Sequence, residues 1–269
     1  MTPASIPSPG FESIGVGPLS FHVYGLCYVL AVLSAVWICG RRWERMGGER
    51  VLAADVALVG FPAGLIGGRI YYVITSWSEV PDEWWGPFAV WKGGMGLPGG
   101  ILAGVLGGIW VLRRRKVDVK AFMDAAAPAI LVAQAIGRIG NWFNQELFGG
   151  PSSLPWAVEI DPENRPERYF DSPTFHPTFL YEATWDLLLA GGLVWLGAHR
   201  TIRPPGLFAL YLAGYGLFRM GMELLRVDPA THVLGLRLNF WVAGLVCVAG
   251  VVWFIRSQRP ARRLTTARA

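Results

Sequence analysis

Arg138, Asn141, Asn144 and Glu146 stand close together in the run Gly137-Arg138-Ile139-Gly140-Asn141-Trp142-Phe143-Asn144-Gln145-Glu146-Leu147-Phe148-Gly149, directly after an apolar stretch at 125–136. A charged group at membrane depth costs about 2.5–3.5 kcal/mol even on lenient insertion scales, so such groups are usually retained where they face a site. Arginine stays charged and binds phosphate bidentately. Arg219 offers a second guanidinium on another segment, with Glu223 one helical turn on and so on the same face. Two arginines from different helices, opening to one leaflet, suggest a phospholipid headgroup site. Other polar residues gather at the same ends of their segments: His22 and Tyr24, Arg69 with Tyr71 and Tyr72, His176 with Tyr181 and Glu182, and Tyr215 with Arg226. Each has a plainer reading. Arg219 and Glu223 form a structural ion pair, Arg69 snorkels to the interface, the tyrosines belong to an aromatic belt, His22 and His232 are interfacial, and His176 caps or packs. Arg138, set between glycines and followed by amides and an acid, is the hardest to explain by structure alone. Gly93-Gly94-Met95-Gly96 and Gly99-Gly100 would allow close backbone approach to a ligand. There is no Gly-x-Ser-x-Gly elbow, no His-Glu-x-x-His and no Walker loop.

The segments that must position these groups read as membrane helices. Only 16% of the 269 residues are charged and 53% are hydrophobic, against about 25% charged in a soluble domain; the mean hydropathy is +0.38. A hydrocarbon core about 30 Å thick needs about 20 apolar residues in helix. Seven spans are expected, near 19–39, 51–74, 96–112, 122–138, 178–196, 206–222 and 238–255. The expected fold is an all-α integral membrane protein. Thirteen tryptophans suit two membrane–water interfaces.

Alternate connections are basic: Arg41-Arg42-Trp43-Glu44-Arg45, Arg113-Arg114-Arg115-Lys116, the stretch 199–203, and a tail at 256–269 with Arg256, Arg259, Arg262 and Arg263. The positive-inside rule places these in the cytoplasm, so the N-terminus lies outside and the C-terminus inside. The polar cluster then faces the outer leaflet. The organisation expected is an external segment at 1–18, four spans within 19–140, an external head at 141–177 with a short strand in 154–160, three spans within 178–255, and the basic tail. The net charge of +5 belongs to the cytoplasmic flanks and calls for no nucleic acid. Residues 1–18 hold no Lys or Arg, so the N-terminus is expected to be retained. Cys27, Cys39 and Cys247 lie in apolar runs without metal-ligand spacing, and neither a metal nor a cofactor is expected.

These residues together resemble the prolipoprotein diacylglyceryl transferase family. The run 137–146 looks like its hallmark, and further pieces follow in family order: Val23-Tyr24-Gly25-Leu26, Gly67-Gly68-Arg69-Ile70-Tyr71-Tyr72, Trp91-Lys92-Gly93-Gly94-Met95, His176-Pro177-Thr178 with Leu180-Tyr181-Glu182, and Gly214-Tyr215-Gly216-Leu217-Phe218-Arg219 with Glu223. The resemblance implies a multi-pass enzyme of the bacterial inner membrane that moves the diacylglyceryl group of phosphatidylglycerol onto the lipobox cysteine of a prolipoprotein signal peptide. A thioether forms and glycerol phosphate leaves. It implies that Arg138 binds the headgroup, with Arg138, Arg219, Glu146 and Tyr24 as catalytic residues. Asn141, Asn144, Gly149, His176, Tyr215, Glu223 and Arg69 join Arg138 in substrate binding. The chemistry agrees. A free thiol has a pKa near 8.5, and nearby cations favour the thiolate; arginines at a leaving phosphate stabilise the charge it gains. One departure stands out: Pro98 occupies the place where many relatives carry a histidine to which a catalytic role is given. Proline cannot act as a base. The expectation is that Arg138 and Arg219, held by Glu146 and Glu223, favour the thiolate without an obligatory histidine.

Two other classes compete. A lipid or small-molecule transporter would show inverted repeats or helices broken at the midplane. A scaffold binding phosphatidylglycerol and membrane lipids would modify no peptide.

Overall fold

A computed structural model describes residues 5–17, 19–90 and 93–259. Within them seven α-helices follow one another: α1 (Val23–Arg45), α2 (Leu52–Thr75), α3 (Leu97–Arg114), α4 (Val119–Phe143), α5 (Thr178–His199), α6 (Gly206–Leu225) and α7 (Leu238–Gln258). The remaining strands are short hairpins: β1 (Ser13–Val16) with β2 (Leu19–His22), β3 (Val158–Glu159) with β4 (Thr174–Phe175), and β5 (His232–Val233) with β6 (Leu236–Arg237), all antiparallel. This is an all-α multi-pass membrane protein. Among the described residues five helices, α1, α2, α4, α5 and α7, are long and apolar enough to cross a membrane. The other two are diluted: α3 by its glycines and the arginines at its end, α6 by Arg219 and Glu223. Large apolar side chains point outward along the helices, among them Leu58, Ile74, Leu97 and Leu245, each more than two-thirds exposed. Water would penalise such a surface; lipid does not.

The helices fall where the apolar runs place them, with informative differences at the ends. The chain at 19–22 belongs to a hairpin, so α1 starts at Val23. Helix α4 continues past its apolar run to Phe143, so Arg138 and Asn141 lie on the helix rather than after it. Pro62 in α2 and Pro128 in α4 are carried within continuous helix, so neither helix is broken as a transporter's would be. In the head, the ladder covers only Val158–Glu159 rather than all of 154–160. Pro155 has no N–H to give a ladder. Trp91, Lys92, Pro18 and residues 260–269, with Arg262 and Arg263 of the basic tail, lie outside the described residues, as do the first four.

Two compact units form, one from the chain up to Ala35 together with that from Ala126 on, the other from Val36–Ala125. In the first, α4, α5 and α6 share a core of Ala127, Leu131, Ala190, Leu193, Leu207 and Tyr211. Helices α6 and α7 touch backbone to backbone: a Cβ built at Gly250 would come 2.7 Å from the Ala209 carbonyl oxygen, and one at Gly216 would come 2.7 Å from that of Ala243. The head closes on Phe148, Val158, Ile160 and Phe175, packed against Trp142, Phe179 and Val227. Its small core therefore leans on the helices.

In the second unit, α2 and α3 meet along glycines. A Cβ at Gly67 would approach the Gly99 carbonyl to 2.6 Å, and one at Gly99 would approach that of Gly67 to 2.4 Å; Gly64 with Gly100 and Gly60 with Gly104 repeat this reciprocal contact at 3.2–3.3 Å. Between helices in lipid, such close approach is what gives packing its strength. The glycines at 94–100 read from the sequence as room for a ligand instead accommodate neighbours: Gly96 and Gly99 lie against Tyr71, and Gly94, at φ +75°, against Tyr72. Gly67→Ala should overpack this seam by about 1–3 kcal/mol and lower the thermal midpoint in detergent by about 3–10 °C. Gly191→Ala on α5, where an added Cβ meets nothing within 4 Å, should leave it nearly unchanged. Equal midpoints for both variants would mean that the α2–α3 contact is looser than described.

Candidate active site

The site is assembled within the first unit from the end of α4, the start of α5 and the last turns of α6. On α4, Arg138 and Asn141 are three residues apart and so share a face. Arg138 Nη1 donates to Asn141 Oδ1 at 3.3 Å, and Asn141 Nδ2 donates to Glu146 Oε1 at 2.8 Å. Asn144 Nδ2 reaches the same oxygen at 3.4 Å. After Phe143 the chain turns sharply, with Gln145 at φ +48° and Leu147 at φ +59° in the left-handed region. Gln145 holds that turn by a reciprocal pair with Asp161: Nε2 donates to Oδ2 at 2.5 Å and Oε1 accepts the Asp161 amide at 2.7 Å.

The next residues are stitched to two other elements. The Gly149 amide donates to the His176 carbonyl at 2.9 Å, the Gly150 amide to that of Leu225 at 2.9 Å, and Thr178 Oγ1 to that of Leu147 at 2.6 Å. A Cβ at Gly149 would sit 2.8 Å from His176 Cβ, so only glycine lets these strands meet. These backbone bonds bring the start of α5 and the end of α6 beside the end of α4.

Glu182, in the first turns of α5, is the hub. Its Oε2 pairs with Arg138 Nε, and its Oε1 accepts from Arg219 Nη1 at 2.5 Å. Arg219 Nη2 pairs in turn with Glu223 Oε1. Glu223 Oε2 accepts from Arg237 Nε at 2.6 Å, Arg237 Nη2 donates to Asp228 Oδ2 at 2.7 Å, and Asp228 Oδ1 accepts from Arg226 Nε at 2.7 Å. The result is an alternating chain: Arg138, Glu182, Arg219, Glu223, Arg237, Asp228, Arg226. Glu182 and Glu223 are 5% and 2% exposed, so each carboxylate depends on its arginines to offset a desolvation cost of several kcal/mol. Asp186, one turn beyond Glu182, is 2% exposed and its Oδ2 has no hydrogen-bond partner among the described residues.

Several expected residues border this chain. The Tyr24 ring rests on Gly140, where a Cβ would come within 2.4 Å of it, and its hydroxyl lies 3.4 Å from that of Tyr28. Tyr215 sits one turn before Arg219 on α6 and so shares its face. His176 Nδ1 is 3.2 Å from the Tyr181 hydroxyl, which also accepts from Trp156 Nε1 at 3.0 Å. Two assignments change. Arg138 is paired with Glu182 rather than Glu146, because Asn141 stands between Arg138 and Glu146. Arg69, in the other unit, is 5% exposed and spends its guanidinium on the carbonyls of Gly86, Pro87, Gly93 and Gly94 at 2.7–3.0 Å. With its guanidinium also lying over the Tyr72 ring at 5.3 Å from the centroid, it anchors the loop before α3 rather than presenting a free cation to a phosphate.

Glu182 stood among the clustered polar residues and in a family motif without a role of its own, and Asp186 and Arg237 were not among the expected site residues. A single Glu near a helix start looks like any interfacial acid. Only the folded geometry shows that its two oxygens serve two helices. Among the described residues no three His, Cys, Asp or Glu side chains gather as a metal would require.

Beyond α6, burial pushes the Asp228 carboxyl up, but hydrogen bonds and charge from Arg226 and Arg237 outweigh it and hold the group below its ordinary value. A carboxyl lowered on folding contributes stability that is present above its unfolded pKa of about 3.9 and is lost as pH falls through the folded value. Asp228→Asn should therefore lower the thermal midpoint by about 2–5 °C at pH 7. The gap to wild type should close as pH drops below about 4. A gap that persists unchanged there would show that the charge of Asp228 contributes nothing.

The prolipoprotein diacylglyceryl transferase family profile matches residues 12–256. Among curated proteins, phosphatidylglycerol–prolipoprotein diacylglyceryl transferase 2 of Streptomyces coelicolor is 43% identical over 261 residues, covering 94% of this chain and 81% of its own. The enzyme of the same name without the numeral from Cutibacterium acnes is 45% identical over 259 residues, covering 95% and 87%. That from Streptomyces griseus is 43% identical over 267 residues, covering 97% and 81%. With the match running from the first hairpin into α7 and taking in the whole ion chain, the protein belongs to the prolipoprotein diacylglyceryl transferase family.

Proposed function

We propose that this protein transfers the diacylglyceryl group of phosphatidylglycerol to the lipobox cysteine thiol of a prolipoprotein, releasing glycerol phosphate, in the bacterial plasma membrane. The activity for which the relatives are named supports this reading. The observation that carries it is that Arg138 of α4 and Arg219 of α6 meet on the two oxygens of one carboxylate. Guanidiniums spaced to share the oxygens of one anion can share those of a phosphate. In that position they stabilise the charge that the phosphate gains as its ester bond to the glyceryl carbon breaks.

The remaining roles follow from position. Asn141 and Asn144 hold Glu146 beside Arg138. Tyr24 borders this group through Gly140, and Tyr215 borders Arg219. Glu223 is the far anchor of Arg219, while Gly149 and His176 fix the junction through which α5 and α6 reach α4. The outward apolar side chains of the helices face membrane lipids. The basic connections lie in the cytoplasm, the site opens to the outer leaflet, and the head at 141–177 is external.

Purified protein incubated with phosphatidylglycerol and a lipobox peptide should add one diacylglyceryl mass to the peptide. Failure to do so under conditions where the protein is folded and binds the lipid would leave a scaffold instead. In that assay Arg138→Lys should keep the charge yet lose roughly 10- to 10⁴-fold in rate, the value of one or two charge-assisted hydrogen bonds at about 1.5–3 kcal/mol each. Near-normal transfer by the lysine variant would remove the bidentate role. For orientation, an impermeant thiol reagent should label single cysteines placed in the 150s from outside, in a background without Cys27, Cys39 and Cys247. Labelling at position 114 with protection in the 150s would invert the topology.

A further inference from the structure

The Glu182 carboxylate stands where an anionic headgroup would bind, with both oxygens committed to the two arginines on either side. Building on the transfer reaction proposed above, we infer that Glu182 is the general base: substrate phosphate displaces it from Arg138 and Arg219, and the freed carboxylate takes the proton of the acceptor thiol.

The groups facing it define the exchange. Arg138 approaches from α4 and Arg219 from α6; Asp186 lies one turn along α5 itself; Glu223 and Tyr215 stand behind Arg219. The two arginines differ in how they are held. Arg219 keeps Glu223 when Glu182 leaves, and Arg138 keeps Asn141. Both guanidiniums therefore remain in place for an incoming phosphate after Glu182 has moved. A carboxylate bound on both oxygens by guanidinium N–H groups has part of its accepting capacity taken and is less available to a proton. Once the phosphate has taken those N–H groups, that capacity is freed. Lipid binding thus creates the base at the moment it is needed, and the same residue otherwise keeps the two arginines paired. His176 is the histidine nearest the motifs, but its Nδ1 is engaged by Tyr181.

The step balances within the two substrates. The thiol proton passes to a Glu182 oxygen as sulfur attacks the glyceryl carbon. The S–C bond forms and the C–O bond to phosphate breaks, its electron pair staying on the phosphate oxygen. Glu182 then gives the proton to that oxygen, so glycerol phosphate leaves as a monoanion. The carboxylate returns to Arg138 and Arg219, which helps to expel the product.

The test compares full-length wild type, Glu182→Gln and Glu182→Asp in detergent with phosphatidylglycerol and a lipobox peptide, reading kcat and KM for the lipid against pH. The glutamine variant should lower kcat by about 10²- to 10⁴-fold, the range for a lost general base. It should leave KM for phosphatidylglycerol equal or lower, since a competing anion is gone, and the acid limb of the rate profile should vanish. A peptide bearing selenocysteine, whose selenol is already ionised near neutral pH, should restore much of the lost rate. The aspartate variant keeps a carboxylate and should keep the acid limb, which preserves the test if the glutamine variant folds poorly. A raised KM with kcat intact, or no recovery with selenocysteine, would make Glu182 a positioning residue only and overturn the inference. No transfer by wild type would sink the reading of function and this inference with it. Transfer by wild type with an unchanged glutamine variant would sink this inference alone.

Discussion

Four arginines and three carboxylates, most of them largely buried, cannot be placed at the ends of membrane helices unless they satisfy one another. Each buried ion costs several kcal/mol to desolvate, and a single missing partner leaves that cost uncompensated. The chain from Arg138 to Arg226 meets this constraint by alternating sign at every link. It also dictates what surrounds it. Helix α5 must bring Glu182 between α4 and α6, and the loop after α6 must return Asp228 and Arg237 to Glu223. The junction at Gly149 and Gly150 holds the three contributing elements in register by backbone bonds that water would otherwise weaken.

The same residues that make the chain stable make it responsive. Of its arginines, Arg138 and Arg219 are the more exposed, with 19% and 15% of their side chains accessible against 7% for Arg226 and 8% for Arg237; Glu223, between them, has none. The inner links form a fixed anchor and the outer ones a replaceable contact. An anion arriving from the accessible side meets two arginines already oriented, so it pays little to organise them. Close small-residue packing of α6 on α7 supports this, because a loosely held α6 could not keep Arg219 at hydrogen-bond distance.

The helices were readable because apolar runs of membrane length leave few alternatives, and the residues of the hallmark run were readable because polar groups beside such runs are rare. Arg138, Asn141, Arg219 and Glu223 do meet in one network. Its pairing was not readable. Sequence proximity joined Arg138 to Glu146, whereas the helix extends to Phe143 and turns Arg138 toward Glu182 on another element. Arg237 ends the short strand β6 just before α7, where nothing in its local sequence marks it as a partner of Glu223. Arg69 misled for the opposite reason. Its motif resembles that of a binding residue, but its side chain is consumed by the loop that precedes α3.

The most direct measurement is an experimental structure of the protein with phosphatidylglycerol bound. The account requires phosphate oxygens within hydrogen-bond distance of both Arg138 and Arg219, with the Glu182 carboxylate released from both and Arg219 still paired with Glu223. A headgroup bound elsewhere, with Glu182 still bridging the two arginines, would contradict it.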